Sequence, residues 1–224
     1  MFFSPLGILF FIFLVFIAIF LFIFIHIGLI TIAFERLGLS EFQAFSFLLI
    51  SLLGSNINFP IKRIKGPPVS PPQDVVRFFG VPYRIPEPAS SGDTIIAINL
   101  GGAIVPFILS CYLMAQWKMF FEPLLATLVV AVVTYKFARP VPGIGIAVPV
   151  FVPPIIAALI ALFSGQSLHA PALAYIAATM GTLLGADIFH LNDIKKIRAP
   201  VASIGGAGTF DGIFLAGIIA VILA

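Results

Sequence analysis

The chain has 224 residues, 61% of them hydrophobic and 9% charged, with a mean hydropathy of +1.18. Soluble domains carry about 25% charged residues, and the long apolar runs here are solid, without the alternation of roughly ten-residue barrel strands; composition therefore points to an all-α, polytopic membrane bundle and away from a soluble domain or a transmembrane β-barrel. A net charge of +3 with one cysteine, Cys111, excludes an intramolecular disulfide and, given where the basic residues fall, gives no reason to expect a nucleic-acid partner.

Seven apolar runs are read as spans of one transmembrane domain, residues 1–224. The first covers Leu6 to Phe34 without a charge, and is too long and lacks the basic flank of a cleavable signal peptide. The second is Phe42 to Phe59, the third Ile95 to Trp117 and the fourth Met119 to Tyr135, with Glu122 near its outer end. The fifth, Gly143 to Phe163, is irregular: five prolines and two glycines between Arg139 and Pro154 leave no room for a regular helix before Pro153. Pro153 and Pro154 suit a first helical turn, and the residues before them are expected either to cross part of the membrane in extended form or to form a proline-kinked helix. The sixth run is Ala170 to His190 and the seventh Ile204 to Ala224. About 20 helical residues cross 30 Å of hydrocarbon, so the second and fourth are short for the task.

The proline-rich stretch 60–94 is expected to be a cytoplasmic loop over the mouth of the bundle, with a short packed strand near Asp74–Tyr83. Seven spans put it on one side with 136–142 and 191–203, giving ten basic residues there against two, Arg36 and Lys118, on the other. The positive-inside rule then places the protein in the cell membrane with its N-terminus cytoplasmic and its C-terminus outside. Three glycine-rich pieces recur loosely, at Asn99–Pro106, Pro142–Pro149 and Ile204–Gly208; they read as small-residue packing between helices, with no clear internal repeat.

Two acids break the apolar runs: Asp187 late in the sixth and Asp211 early in the seventh. A carboxylate at the centre of the bilayer costs at least about 2.5–3.5 kcal/mol, so each is a functional candidate by default. The sixth span runs inward and the seventh outward. Asp211 lies seven residues beyond Ile204, about 10 Å along a helix, and both acids are expected in the cytoplasmic third, facing each other. Ala207 and Gly208 share the face of Asp211 and leave a surface nearly free of side chains. Two carboxyls in contact share a proton, so one can activate water while the other protonates a leaving group. His190, three residues after Asp187, completes a partial metal site at most; with so few ligands no metal and no cofactor is expected. Asn99 is read as a helix–helix hydrogen-bonding residue and His26 and His169 as packing or surface residues.

The layout of the last two spans resembles the intramembrane aspartyl proteases of the presenilin and signal-peptide-peptidase class. In that class one catalytic Asp ends an inward span and the other opens the next after a glycine motif, roles that the resemblance gives to Asp187 and Asp211. Here the glycine motif is Gly206-Ala207-Gly208 with Asp211 two residues further on, and Ala186 precedes Asp187. The segments Ala138–Pro149, Gly185–Leu191 and Ala202–Phe214 resemble a group of uncharacterised prokaryotic multi-pass membrane proteins of unknown function.

The expected function is an intramembrane hydrolase of the aspartyl-protease type, with Asp187 and Asp211 catalytic and Gly143, Gly145, Gly206, Gly208 and His190 binding a transmembrane peptide substrate. The rival is a proton- or cation-coupled transporter or channel using the same acids for a small cation, with the broken fifth span as its gate. A structural membrane protein is the third reading. In each case the partner common to all is the lipid bilayer.

Overall fold

The computed structural model describes residues 15–17, 28–64, 75–78, 81–84, 93–141, 145–165, 168–193, 200–206 and 212–224. Most of the first expected span falls outside them; its last part is helix α1, Gly28–Arg36. A break at 37–40 follows, and α2, Glu41–Gly54, leaves at 116° to α1. Ser40 and Gln43 form a reciprocal cap: the Gln43 amide donates to Ser40 Oγ (3.3 Å) and the Ser40 amide to Gln43 Oε1 (2.9 Å). Two of the orphan donors at the helix start are thereby satisfied.

The all-helical expectation is corrected here. The chain after α2 forms β1, Asn58–Ile64, which pairs antiparallel with β4, Thr94–Asn99; β4 in turn pairs parallel with β7, Val201–Ile204. Between β1 and β4 lies a hairpin, β2 (Val75–Phe78) and β3 (Val81–Arg84), in the loop where one short strand was expected. A second small hairpin, β5 (Arg139–Val141) and β6 (Gly145–Ala147), occupies the irregular fifth segment.

The remaining helices are shorter than the apolar runs that contain them, because strands take up the ends. The second run stops as helix at Gly54, the third spends its first residues on β4, and the seventh begins with the last residue of β7. A π-helical turn, Leu100–Ile104, leads into α3, Val105–Gln116, and α4 is Phe121–Phe137. Next comes α5, Val152–Phe163, with proline in its first turn as its sequence suggests. Helix α6, Ala170–Thr182, continues through a second π turn, Leu183–Ile188, and a 3-10 turn, Leu191–Asp193; α7 is Gly212–Leu223. Among the described residues one helix, Ala170–Asp193, is long and apolar enough to cross a membrane, and two are if the bent pair α1–α2 counts as one span.

Helix α6 is the axis of the bundle. It is buried almost all round through small residues, Ala172, Ala174, Ala177, Ala178 and Gly181 among them, and α3, α4, α5 and α7 pack against it. The larger core side chains gather at one end: Phe34, Leu37, Leu109, Leu113, Tyr175, Phe214 and Ile218.

Cross-contacts fix which way each helix runs. At the first end the Arg36 guanidinium donates to the Val221 and Ile222 carbonyls (3.2 and 3.3 Å), and Trp117 meets His169 edge-on at 4.6 Å. At the other end Gly54 lies on Gly101, and Tyr135 lies on His190 with 4.6 Å between rings. Ile146 packs there with Leu183 and Ile188, beside the sheet. Helices α1 to α7 therefore alternate in direction between these two ends.

Asn99 holds the sheet end together. Its Oδ1 accepts from the Gly102 amide (2.7 Å) and caps the π turn, while its Nδ2 donates to the Ser55 carbonyl (2.6 Å) and to Asn58 Oδ1 (3.1 Å). Ser203 Oγ donates to the same Asn58 oxygen, so α2, β1, β4 and β7 share one network, and Asn99 itself is 1% exposed. Replacing Asn99 with leucine leaves the Gly102 amide and the Ser55 carbonyl without these partners. Unsatisfied buried groups cost about 1–3 kcal/mol each, so with two groups orphaned we expect Asn99→Leu to lower the unfolding free energy by about 2–6 kcal/mol, read as a drop in midpoint by denaturant titration in detergent. An unchanged midpoint would show the network to be dispensable.

Candidate functional site

Asp187 sits in the second π turn, where α6 meets the sheet. In a π turn the backbone is wound to i→i+5 bonding, a costly geometry concentrated at functional positions. Its carboxylate is half-buried, and Oδ2 accepts from the Gly205 amide at 2.7 Å. Gly205 is the first residue after β7. It has φ +84°, and a Cβ there would lie 2.6 Å from both Ala103 Cβ and Ala103 N on the first π turn. Glycine is needed twice over at this position, for the left-handed backbone and for the close approach. Gly205 is thus wedged between the two π turns and carries the donor that holds Asp187.

Of the other candidate residues, Gly206 follows directly, with φ +88° and its amide donating to the Ser203 carbonyl (3.3 Å). Gly145 opens β6, whose neighbour Ile146 packs on the π turn of Asp187. His190 is buried at 5% exposure, with Nδ1 3.0 Å from the Gly185 carbonyl. A carbonyl only accepts, so Nδ1 carries the proton, and the ring is fixed between this bond and Tyr135. Asp211, Gly143 and Gly208 lie outside the described residues. Among the described residues no three His, Cys, Asp or Glu side chains come together as a metal site.

Sequence reasoning missed Gly205, Tyr135 and the arrangement of the glycine-rich pieces. Two of those pieces, Asn99-Leu-Gly-Gly-Ala103 and Ile204-Gly-Gly206, occupy equivalent places: each follows one of two parallel strands in register, Ile98 opposite Ile204, and each precedes a helix running toward the first end. Their recurrence was the available signal. It marks a shared strand–glycine–helix geometry where general small-residue packing was expected.

No curated protein and no solved structure matches the chain. A family described as "Protein of unknown function (DUF1614)" matches residues 52–223, from the last turn of α2 through α7, and so includes both acids, both glycine-rich turns and the whole sheet. The chain therefore belongs to this uncharacterised family, DUF1614.

Proposed function

We propose that the chain is a multi-pass membrane protein with seven spans, α1 to α7, and that Asp187 and Asp211 form an intramembrane hydrolase site acting on a peptide. The membrane reading rests on side-chain distribution. Helices α2 to α5 turn large apolar residues outward, for example Phe45, Phe107, Leu125 and Leu159, while alanine, serine and threonine fill the interior. Such an outer surface suits lipid, which gains nothing from polar side chains. Alternating helix directions put Lys62, Arg63, Lys136 and Arg139 at the sheet end and Arg36 and Lys118 at the other, in keeping with a cytoplasmic sheet and N-terminus and an outer C-terminus.

The observation that carries the hydrolase reading is the Asp187 carboxylate bonded to the amide of Gly205, the first residue after β7 and six positions before Asp211. Among the described residues β7 is an edge strand. An extended peptide can add to such an edge through its main chain, which would bring a peptide bond to the end where Asp187 lies. One carboxylate takes a proton from water as its oxygen bonds to the carbonyl carbon. The other, protonated, delivers its proton to the amide nitrogen as the C–N bond breaks, leaving a carboxylic acid and an amine.

The two π turns favour a second reading, a proton- or cation-coupled transporter, since interrupted helices near an intramembrane acid can expose backbone carbonyls to an ion. One set of experiments separates the two. The full chain in liposomes is given a labelled transmembrane peptide, and cleavage products and ion flux are followed together. Cleavage is the expected result; flux without cleavage overturns the hydrolase reading in favour of transport. Topology is checked independently in a Cys111→Ser background: cysteines placed at position 80 and near the N-terminus should label from the same, cytoplasmic face, and labelling from opposite faces would sink the seven-span arrangement.

A further inference from the structure

We infer that β1 is an anionic-phospholipid headgroup site at the cytoplasmic membrane interface, an inference that rests on the membrane reading and is independent of the hydrolase. Five successive residues of β1, Phe59 to Arg63, are exposed, which is unusual for a strand in a sheet that helps to close the core. The cause is a bulge. Pro60 is opposite Ala97 and Lys62 opposite Ile96, so Ile61 has no partner on β4 and is turned out, 58% exposed. A bulge bends and twists its strand and re-aims side chains; here it brings Ile61 out beside Phe59, itself 49% exposed, and sets Lys62 and Arg63 next to them.

This apolar strip continues from the last turn of α2, where Leu53 is 61% exposed and, just beyond the helix, Ile57 is 45% exposed. It therefore extends the lipid-facing surface to the sheet end. Opposite Lys62 and Arg63, β4 offers only Ile96 and Ile95, and among the described residues neither cation has a carboxylate partner. Apolar residues that enter the acyl boundary, followed at once by two cations, match the depth profile of a phospholipid. Chain carbons lie below, and a phosphodiester above, where guanidinium can bind it bidentately and ammonium as a point charge. A lone phosphate ion would leave the apolar half of this surface unused, so the occupant is the lipid.

The test uses the detergent-solubilised full chain and its thermal midpoint while short-chain phosphatidylglycerol, phosphatidylcholine or inorganic phosphate is titrated. Phosphatidylglycerol should raise the midpoint at concentrations at least tenfold below those at which phosphatidylcholine does, as follows from about 1 kcal/mol for each basic residue at an anionic surface. The Lys62→Gln/Arg63→Gln variant should lose that preference, the charge-conserving Lys62→Arg/Arg63→Lys variant should keep most of it, and Lys118→Gln, at the opposite end, should leave it intact. Equal response to the two lipids, an undiminished preference in the Gln pair, or an equal loss in Lys118→Gln overturns the proposal, and a response to inorganic phosphate matching that to phosphatidylglycerol replaces it with a free-phosphate site. Alkaline extraction of native membranes reads the other premise: a chain that washes off disproves the membrane reading, whereas a chain that stays but shows no lipid preference disproves only the headgroup site.

Discussion

Asp187→Asn and Asp211→Asn should each lower peptide cleavage in liposomes by about 10²–10⁴-fold, the range for loss of one general acid or base. Asparagine keeps the size of aspartate and an oxygen that can accept from the Gly205 amide, so the bond that holds position 187 survives the change. What is lost is the capacity to take or give a proton. Both variants should therefore keep the thermal midpoint of the parent within about 1 °C, and this pairing of intact fold with lost chemistry is the decisive part. If one variant keeps full activity, the dyad is wrong. If both lose their fold together with their activity, the acids are structural. If wild type moves ions without cleaving peptide and both variants stop the flux, the same two carboxyls serve transport.

Gly101→Ala should be strongly disruptive although it adds a single methyl. Gly101 lies in the first π turn where α2 crosses it, and its added Cβ would overlap the Ser51 carbonyl oxygen and stand 2.5 Å from the Ser55 amide. The opposing atoms are backbone, so no rotamer change relieves the clash. Gly54 faces it from α2, 3.0 Å from the Gly101 amide once given a Cβ of its own. Separating the two backbones also breaks the Ser51 hydroxyl bond to the Gly101 carbonyl (2.8 Å) and strains the Asn99 cap one residue away. Overpacking costs about 1–3 kcal/mol where side chains can adjust, and more than that is expected here. Denaturant titration should show a large drop in midpoint or failure to accumulate, while Gly28→Ala, where a Cβ would meet nothing within 4 Å, should be neutral or slightly stabilising. Equal midpoints for Gly101→Ala and the parent would mean that α2 and the π turn do not cross as closely as described.

Much of the helical architecture was legible in the chain itself. Apolar runs marked α3 to α6, and the double proline marked the start of α5. Asp187 stood out because a carboxylate in an apolar run is rare, which requires no knowledge of the fold. The strands were not legible. Thr94-Ile-Ile-Ala-Ile98 runs on through Asn99 into the π turn and α3, Val201-Ala-Ser-Ile204 stands at the head of the last apolar run, and a run without clear alternation has no period by which strand can be told from helix. A strand buried on both faces, as β4 largely is, has no polar face to reveal it.

Only the tertiary structure decided that these segments pair, since the partner of β4 on one side lies at residues 58–64 and on the other at residues 201–204, and backbone hydrogen bonds between them depend on a register that no local pattern specifies. The same pairing gave the glycines their meaning. As sequence, Gly101, Gly205 and Gly206 are small residues in a chain rich in them; in the fold, Gly101 is where a helix backbone crosses a π turn and Gly205 is the left-handed residue whose amide reaches Asp187. The sequence alone determined which acid is anomalous, because that follows from the chemistry of single side chains. The holding of that acid depends on three distant stretches meeting within hydrogen-bonding distance, and that was fixed by packing.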